Sequence, residues 1–63
     1  MNIESYRKAG YTHIISWKEY HELFGIYVPK SFPTTDDAVD LHINALKANQ
    51  KDDNIINIKA TRI

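Results

Sequence analysis

The chain has 63 residues and no cysteine, so neither a disulfide nor a thiolate zinc site can hold its fold together. A chain of this length buries only about 60% of the surface that its unfolded form exposes. Its stability must therefore come from an efficient apolar core or from association with another chain. Residues 1–63 are predicted to form one small globular domain.

The longest helical pattern runs from about residue 36 to residue 49. A threonine cap precedes it, and acidic residues at its start and lysines at its end suit the helix dipole. At about 100° per residue, its apolar side chains spread over more than half of the circumference. They are Ala38, Val39, Leu41, Ile43, Ala45, Leu46 and Ala48. Residues 36–49 are therefore predicted to form the dominant helix of the fold.

The apolar arc of this helix is wider than one core requires, because a stripe of about 100° is enough to pack on a single core. Either the rest of the chain covers the excess, or part of the arc faces a second copy of the chain. Leu41 and Ile43 lie at the two margins of the arc. We predict a homodimer that buries one of these margins and gains stability from it.

Signals for a second, shorter helix lie just after residue 15. Ser16 and Glu19 have the spacing of a capping box, in which each side chain satisfies a free backbone donor. Gly25 suits the left-handed conformation that ends a helix. These signals predict a short aromatic helix over residues 17–24.

Strand signals surround this segment. Residues 11–15 and 26–28 are rich in β-branched and aromatic side chains, and Pro29 is expected to end the second of them in a loop. A competing interpretation makes residues 11–28 one β-hairpin, because apolar side chains there also share strand parity. The predicted fold class is α+β, with two or three short strands packed on the dominant helix and the aromatic helix completing the core.

The two ends of the chain have simpler patterns. Residues 3–9 have the pattern of a short helix that Gly10 stops. Residues 55–62 form the clearest strand pattern, with Ile56, Ile58 and Ala60 expected on one face.

Charge and hydropathy narrow the possible partners. Eight basic residues balance eight acidic ones, so nucleic acid and anionic membranes exert no long-range attraction on the chain. No apolar run approaches the ~20 residues of a membrane span, and residues 1–11 lack the apolar core of a signal peptide. These features predict a soluble cytoplasmic protein. The abundance of Ile, Asn, Lys and Tyr indicates AT-rich codons, and hence an AT-rich bacterium or a phage or mobile element within one.

Chemistry-bearing motifs are scarce. His13, His21 and His42 have no metal-ligand spacing, and there is no phosphate-binding loop or nucleophile motif. His42 falls within the apolar arc of the 36–49 helix, where we interpret it as a core histidine, with catalysis or pH sensing as the alternative. We predict no catalytic residue, no metal and no cofactor, and therefore no enzyme.

One segment resembles a known kind of DNA-binding protein. Residues 14–26 contain the pattern I-S-x-x-E-x-x-x-L-x-G-I, which resembles the first helix and turn of excisionase-type and mercury-regulator-type families, over about a fifth of the chain. The resemblance implies a helix-turn-helix over residues 16–32, with Lys18, Lys30 and Ser31 on the DNA. Against it, Pro33 would interrupt a recognition helix.

Because the sequence argues against an enzyme, a membrane protein and a regular helix-turn-helix, a protein-binding module is the expected function. We predict a small non-enzymatic regulator or inhibitor that binds a protein target, with the helix-turn-helix regulator as the alternative. Aromatic side chains are enriched in interface cores, so Tyr27 and Phe32 are predicted contacts, with the protein core as their other possible place. Leu41 and Ile43 complete the predicted protein-binding set.

Overall fold

The computed structural model describes residues 3–63 and is built on a three-stranded antiparallel sheet. The elements in chain order are α1 (Ile3–Lys8), β1 (His13–His21), β2 (Ile26–Thr34), a 3₁₀ turn (Asp36–Ala38), α2 (Val39–Ala48) and β3 (Ile55–Arg62). The strand order is β2-β1-β3, so β1 is the central strand and β2 and β3 are the edges. None of the described helices has the length and apolar character needed to span a bilayer.

The predicted dominance of the helix is wrong. Strands hold 43% of the described residues, and the helical segment after β2 has 13 residues, the first three of them in the 3₁₀ turn. Its bounds resemble the predicted 36–49, but the framework is the sheet. The strands β1 and β2 are each nine residues long, whereas strands of five residues or fewer were expected there.

The predicted aromatic helix over residues 17–24 is also wrong, because these residues complete β1 and form the following turn. Ser16, the expected helix cap, pairs instead with Ser31 on one side and Lys59 on the other. The competing hairpin interpretation is confirmed, and the hairpin extends further than expected, from His13 to Thr34.

Aromatic side chains favour the sheet over the helix in this segment, because they gain cross-strand partners. The ring centroids of Trp17 and Phe32 lie 5.6 Å apart, and those of Tyr20 and Tyr27 lie 5.3 Å apart, both in edge-to-face arrangements. A capping box stabilises only a helix start, whereas each of these ring pairs ties two strands together.

Gly25 closes the turn between β1 and β2. The backbone N–H groups of Phe24 and Gly25 donate to the carbonyl oxygen of His21 at 3.2 and 2.8 Å. Gly25 has a φ of 63°, the left-handed conformation that glycine adopts without a Cβ clash. The predicted conformation of Gly25 is therefore present, but it serves a hairpin rather than a helix end.

The predicted loop after Val28 is absent, because β2 continues through Pro29 and Pro33. Proline cannot donate a hydrogen bond to a neighbouring strand. An edge strand tolerates proline, since only one of its sides is paired. The position of β2 at the edge of the sheet explains why neither proline ends it.

A bulge interrupts the pairing of β1 with β3. Ser16 pairs with Lys59 but Lys18 pairs with Ile56, so β3 has one extra residue opposite Trp17. Asn57 has a left-handed φ of 57° at this point, a conformation that asparagine tolerates better than most residues. The bounds of β3 were predicted correctly. The bulge shifts the alternation of its side chains between the two faces of the sheet, so Ile56 and Ala60 lie on opposite faces, whereas they were predicted to share one.

The core lies between the sheet and α2, which packs on β3 and β1. Four half-buried side chains of α2 have the spacing of one helix face, and they are Val39, His42, Ile43 and Leu46. On the sheet, Ile15 is fully buried and Ile55 almost so. The shortest dimension of the molecule is only 13 Å, as expected where a helix covers one face of a sheet and leaves the other open.

Candidate protein-binding surface

The turn between β1 and β2, together with the first residue of β2, presents three large apolar side chains to solvent, here called the apolar tip. Leu23 is 87% exposed, Phe24 71% and Ile26 55%. Burying one such side chain is worth about 1.5–3 kcal/mol. Their exposure is notable in a chain with only two fully or almost fully buried apolar residues among those described. Contiguous exposed apolar groups are typical of interaction sites.

The turn geometry holds the apolar tip in place. The ring of Phe24 lies over the ring of His21, with centroids 4.8 Å apart and an interplanar angle of 34°. Nδ1 of His21 is buried and has no hydrogen-bond partner among residues 3–63, so the ring acts here as a packing surface. Together with the hydrogen bonds to the His21 carbonyl oxygen, this stacking limits the freedom of Phe24.

Two tyrosines flank the apolar tip, one on each strand. Tyr20 and Tyr27 face each other across the hairpin, and both are exposed. The Tyr27 hydroxyl donates to the carbonyl oxygen of Asp53 at 2.9 Å. The Tyr20 hydroxyl lies 3.7 Å from the place that a Cβ on residue 25 would occupy. The tyrosine pair therefore joins the apolar tip to the rest of the sheet.

A second candidate surface is a shallow groove of about 880 Å³, here called the open-face groove. Its lining comes from the middle of all three strands and comprises Ile14, Ser16, Trp17, Lys18, Pro29, Lys30, Ser31, Asn57, Ile58 and Lys59. Side chains alternate between the two faces of a strand. Ser16 and Lys18 therefore lie on the face opposite that of Ile15, which is the face that α2 covers.

The open-face groove is basic although the chain has a net charge of zero. Lys18 and Lys59 come from different strands and point into the groove, and the lining contains no acidic residue. Lys30 also borders the groove, but it pairs with Trp17, so its side chain lies on the face that α2 covers. Neither Lys18 nor Lys59 forms an ion pair within the described part of the chain, where Arg7 pairs with Glu4 and His13 lies 3.9 Å from Asp36. The groove therefore has cations with no internal counter-charge.

The structure brings together two of the three residues predicted for DNA binding. Lys18, Lys30 and Ser31 all border the open-face groove, but Lys30 pairs with Trp17, so its side chain lies on the opposite face of the sheet from those of Lys18 and Ser31. They do not belong to a helix-turn-helix, because residues 16–32 are a β-hairpin with no recognition helix. The predicted helix-turn-helix is therefore wrong, and DNA binding itself stays a prediction.

The residues predicted for protein binding are dispersed. Tyr27 lies beside the apolar tip, and Leu41 is 69% exposed on α2. Ile43 is half-buried on the face of α2 that packs on the sheet. Phe32 lies between two other rings, 5.6 Å from Trp17 and 4.7 Å from His42, which places it within the core stack.

Sequence reasoning missed Leu23, Phe24, Ile26 and Lys59. In the helical interpretation, Leu23 and Phe24 belonged to the buried face of the helix. The hairpin interpretation would have placed both in a turn, where apolar side chains are unusual. Lys59 gave no such signal, because its neighbour Lys18 comes from another strand.

The histidines show no catalytic arrangement. Nδ1 of His13 lies 2.7 Å from the Thr12 hydroxyl oxygen, and its Nε2 lies 3.9 Å from a carboxylate oxygen of Asp36. His42 packs edge-on against Phe32. Within residues 3–63, no cluster of three or more histidine or acidic side chains could hold a metal ion.

Comparison of the chain with protein-family models, curated proteins and solved structures finds no match.

Proposed function

We propose that the chain is a small non-enzymatic regulator or inhibitor that binds a protein target through the apolar tip. The observation that supports this proposal is the exposure of Leu23, Phe24 and Ile26 on a structured turn. Interfaces owe most of their binding energy to a few apolar and aromatic anchors that become buried in a partner pocket. Phe24 and Leu23 have the chemistry of such anchors.

The rigidity of the turn favours binding. Ordering a mobile loop at an interface consumes part of the binding energy, whereas Phe24 is already stacked on His21. A stable interface buries about 800 Å² on each partner, which is more than three side chains supply. Tyr20 and Tyr27 adjoin the apolar tip and extend the contact with aromatic surface.

The cytoplasm is the compartment that we propose for this function. The chain has no cysteine, whereas small domains in oxidising compartments commonly depend on disulfides. The AT-rich codon signature supports an origin in an AT-rich bacterium or in a phage or mobile element within one.

The test compares two variants that each remove exposed apolar surface. Tagged wild-type chain, the pair Leu23→Ser/Phe24→Ser and the control Ile3→Ser, at an exposed residue of α1 outside both candidate surfaces, are used to capture proteins from host lysate. We expect a protein that wild type and the control retain and the tip variant loses. Its purified form should bind the wild-type chain and not the tip variant. Retention of the same proteins by all three chains would refute the role of the apolar tip.

A matched folding control accompanies this comparison. Because Leu23 and Phe24 are largely exposed and Ile3 is 44% exposed, each variant should keep the circular dichroism spectrum and the unfolding midpoint of wild type. Loss of binding by a folded tip variant then reports on the contact itself.

A further inference from the structure

We propose that the open-face groove binds an extended acidic segment of a protein partner, with carboxylates at alternate positions. The inference rests on the proposed function, because this segment belongs to the protein target. It adds a second contact surface whose chemistry differs from that of the apolar tip. The apolar tip supplies apolar anchors, and the groove supplies cations.

The groove combines two kinds of surface. Ile14 and Pro29 supply aliphatic surface, and Ser16 and Ser31 supply hydroxyl groups. An aliphatic floor of this kind packs against the methylene groups of glutamate side chains. It gives a small carboxylate metabolite little to bind, whereas a polypeptide can present several such side chains in a row.

The lysines match the spacing of an extended chain. Lys18 pairs with Ile56, and Lys59 pairs with Ser16, so Lys18 and Lys59 are diagonal neighbours on adjacent strands. Such neighbours lie about 7–8 Å apart. Side chains on the same face of an extended segment repeat every two residues, at about 6.8 Å. Acidic residues at alternate positions of a partner strand can therefore meet both lysines.

Charge complementarity selects an anionic occupant. Lys18 and Lys59 have no ion-pair partner in the described part of the chain, and no acidic side chain lines the groove. A single exposed ion pair contributes little to binding. Two of them on an aliphatic floor can select an acidic segment over a neutral one.

The aromatic side chains argue against single-stranded nucleic acid as the occupant. Sheets that bind single strands offer free aromatic faces on which bases stack. Trp17 is instead paired edge to face with Phe32, and the Tyr27 hydroxyl is bonded to Asp53. A net charge of zero also gives little attraction for a phosphate backbone.

The test measures fluorescence anisotropy with the full chain and three labelled probes near physiological ionic strength. The first is a dodecapeptide that repeats Glu-Leu-Glu-Gly, the second repeats Gln-Leu-Gln-Gly, and the third is an oligothymidylate of equal length. We expect the acidic peptide to bind at least about tenfold more tightly than the neutral peptide, a difference of 1.4 kcal/mol, and more tightly than the oligonucleotide.

Matched charge reversals locate the site. Lys18→Glu/Lys59→Glu should weaken binding of the acidic peptide by about tenfold or more. Lys47→Glu/Lys51→Glu changes the net charge equally on exposed residues outside the groove, and should weaken it less than about twofold. The pair Lys18→Gln/Lys59→Gln repeats the measurement if the first pair unfolds.

Each contrary outcome has its own meaning. Equal binding of the acidic and neutral peptides, or equal loss in both lysine pairs, would overturn the groove proposal. Tighter binding of the oligonucleotide that depends on Lys18 and Lys59 would replace the acidic segment with nucleic acid. The tip variant Leu23→Ser/Phe24→Ser should bind the peptide as wild type does. That result separates failure of the groove proposal from failure of the proposed function.

Discussion

The ring of His42 on α2 meets the ring of Phe32 on β2 edge-on, with centroids 4.7 Å apart. Phe32 also contacts Trp17 on β1, so three aromatic rings tie the helix to two strands. This stack provides a direct link between α2 and the edge strand β2, because the extensive contacts of α2 are with β3 and β1. It gives His42 a packing role.

The ring stack makes Phe32 a stability residue. Phe32→Ala should lower the free energy of unfolding by about 2–3 kcal/mol, less than for a fully buried phenylalanine because Phe32 is half-buried. Chemical denaturation measures the loss, and Phe32→Leu should lose less. A change below about 0.5 kcal/mol would contradict a structural role and return Phe32 to the set of surface contacts.

Gly25 should resist replacement by alanine. Its φ of 63° strains any residue with a Cβ, so Gly25→Ala should destabilise the fold by about 1 kcal/mol. Gly25→Asn should be milder, because asparagine tolerates the left-handed region. Thermal unfolding of the two variants checks the order, and a neutral alanine variant would show that the turn adopts another conformation.

Ser16 and Glu19 test the hairpin against the helix. In the sheet, Ser16→Ala should change the free energy of unfolding by less than about 0.5 kcal/mol, and its effect should add to that of Glu19→Ala. A capping box would give about 1 kcal/mol for the serine and non-additive effects. A double-mutant cycle in urea distinguishes the two results.

The predicted homodimer stays a prediction, and the two margins of α2 now differ. Leu41 is exposed, so Leu41→Asp should leave the fold intact and shift a dimer towards monomer. Ile43→Asp should unfold the chain instead, because Ile43 lies on the packed face of α2. Sedimentation at about 100 μM, the range of a weak specific dimer, measures both, and a monomeric wild-type chain there would remove the dimer.

Local patterns predicted the elements whose stability is local. The helix over residues 3–9 is present as α1, and the strand over residues 55–62 has the bounds of β3. Gly10 ends α1 and the β-branched residues favour β3 through their own backbone preferences. The sequence near them is therefore sufficient to predict these two elements. The 36–49 segment was also located, although its first turn is 3₁₀ and its importance was overestimated.

The errors in the predicted fold come from strand pairing between residues that are far apart in the sequence. Ser16 and Glu19 satisfy a helix rule, yet the partners of Ser16 are Ser31 and Lys59, far away in the chain. The edge position of β2 decides whether Pro29 ends a strand, and sequence spacing does not reveal an edge. The same limit applies to the surfaces, since the open-face groove exists only after three strands have met.

The two edges of the sheet differ from those of chains that polymerise. Along β2, Pro29 and Pro33 offer no N–H group to an incoming strand. Along β3, the left-handed Asn57 bends the backbone beside the charged Lys59. Cross-β growth needs flat edges with donors and acceptors in register, and neither edge offers this. The chain can therefore leave one face of its sheet bare and still resist stacking edge to edge into fibrils at high concentration.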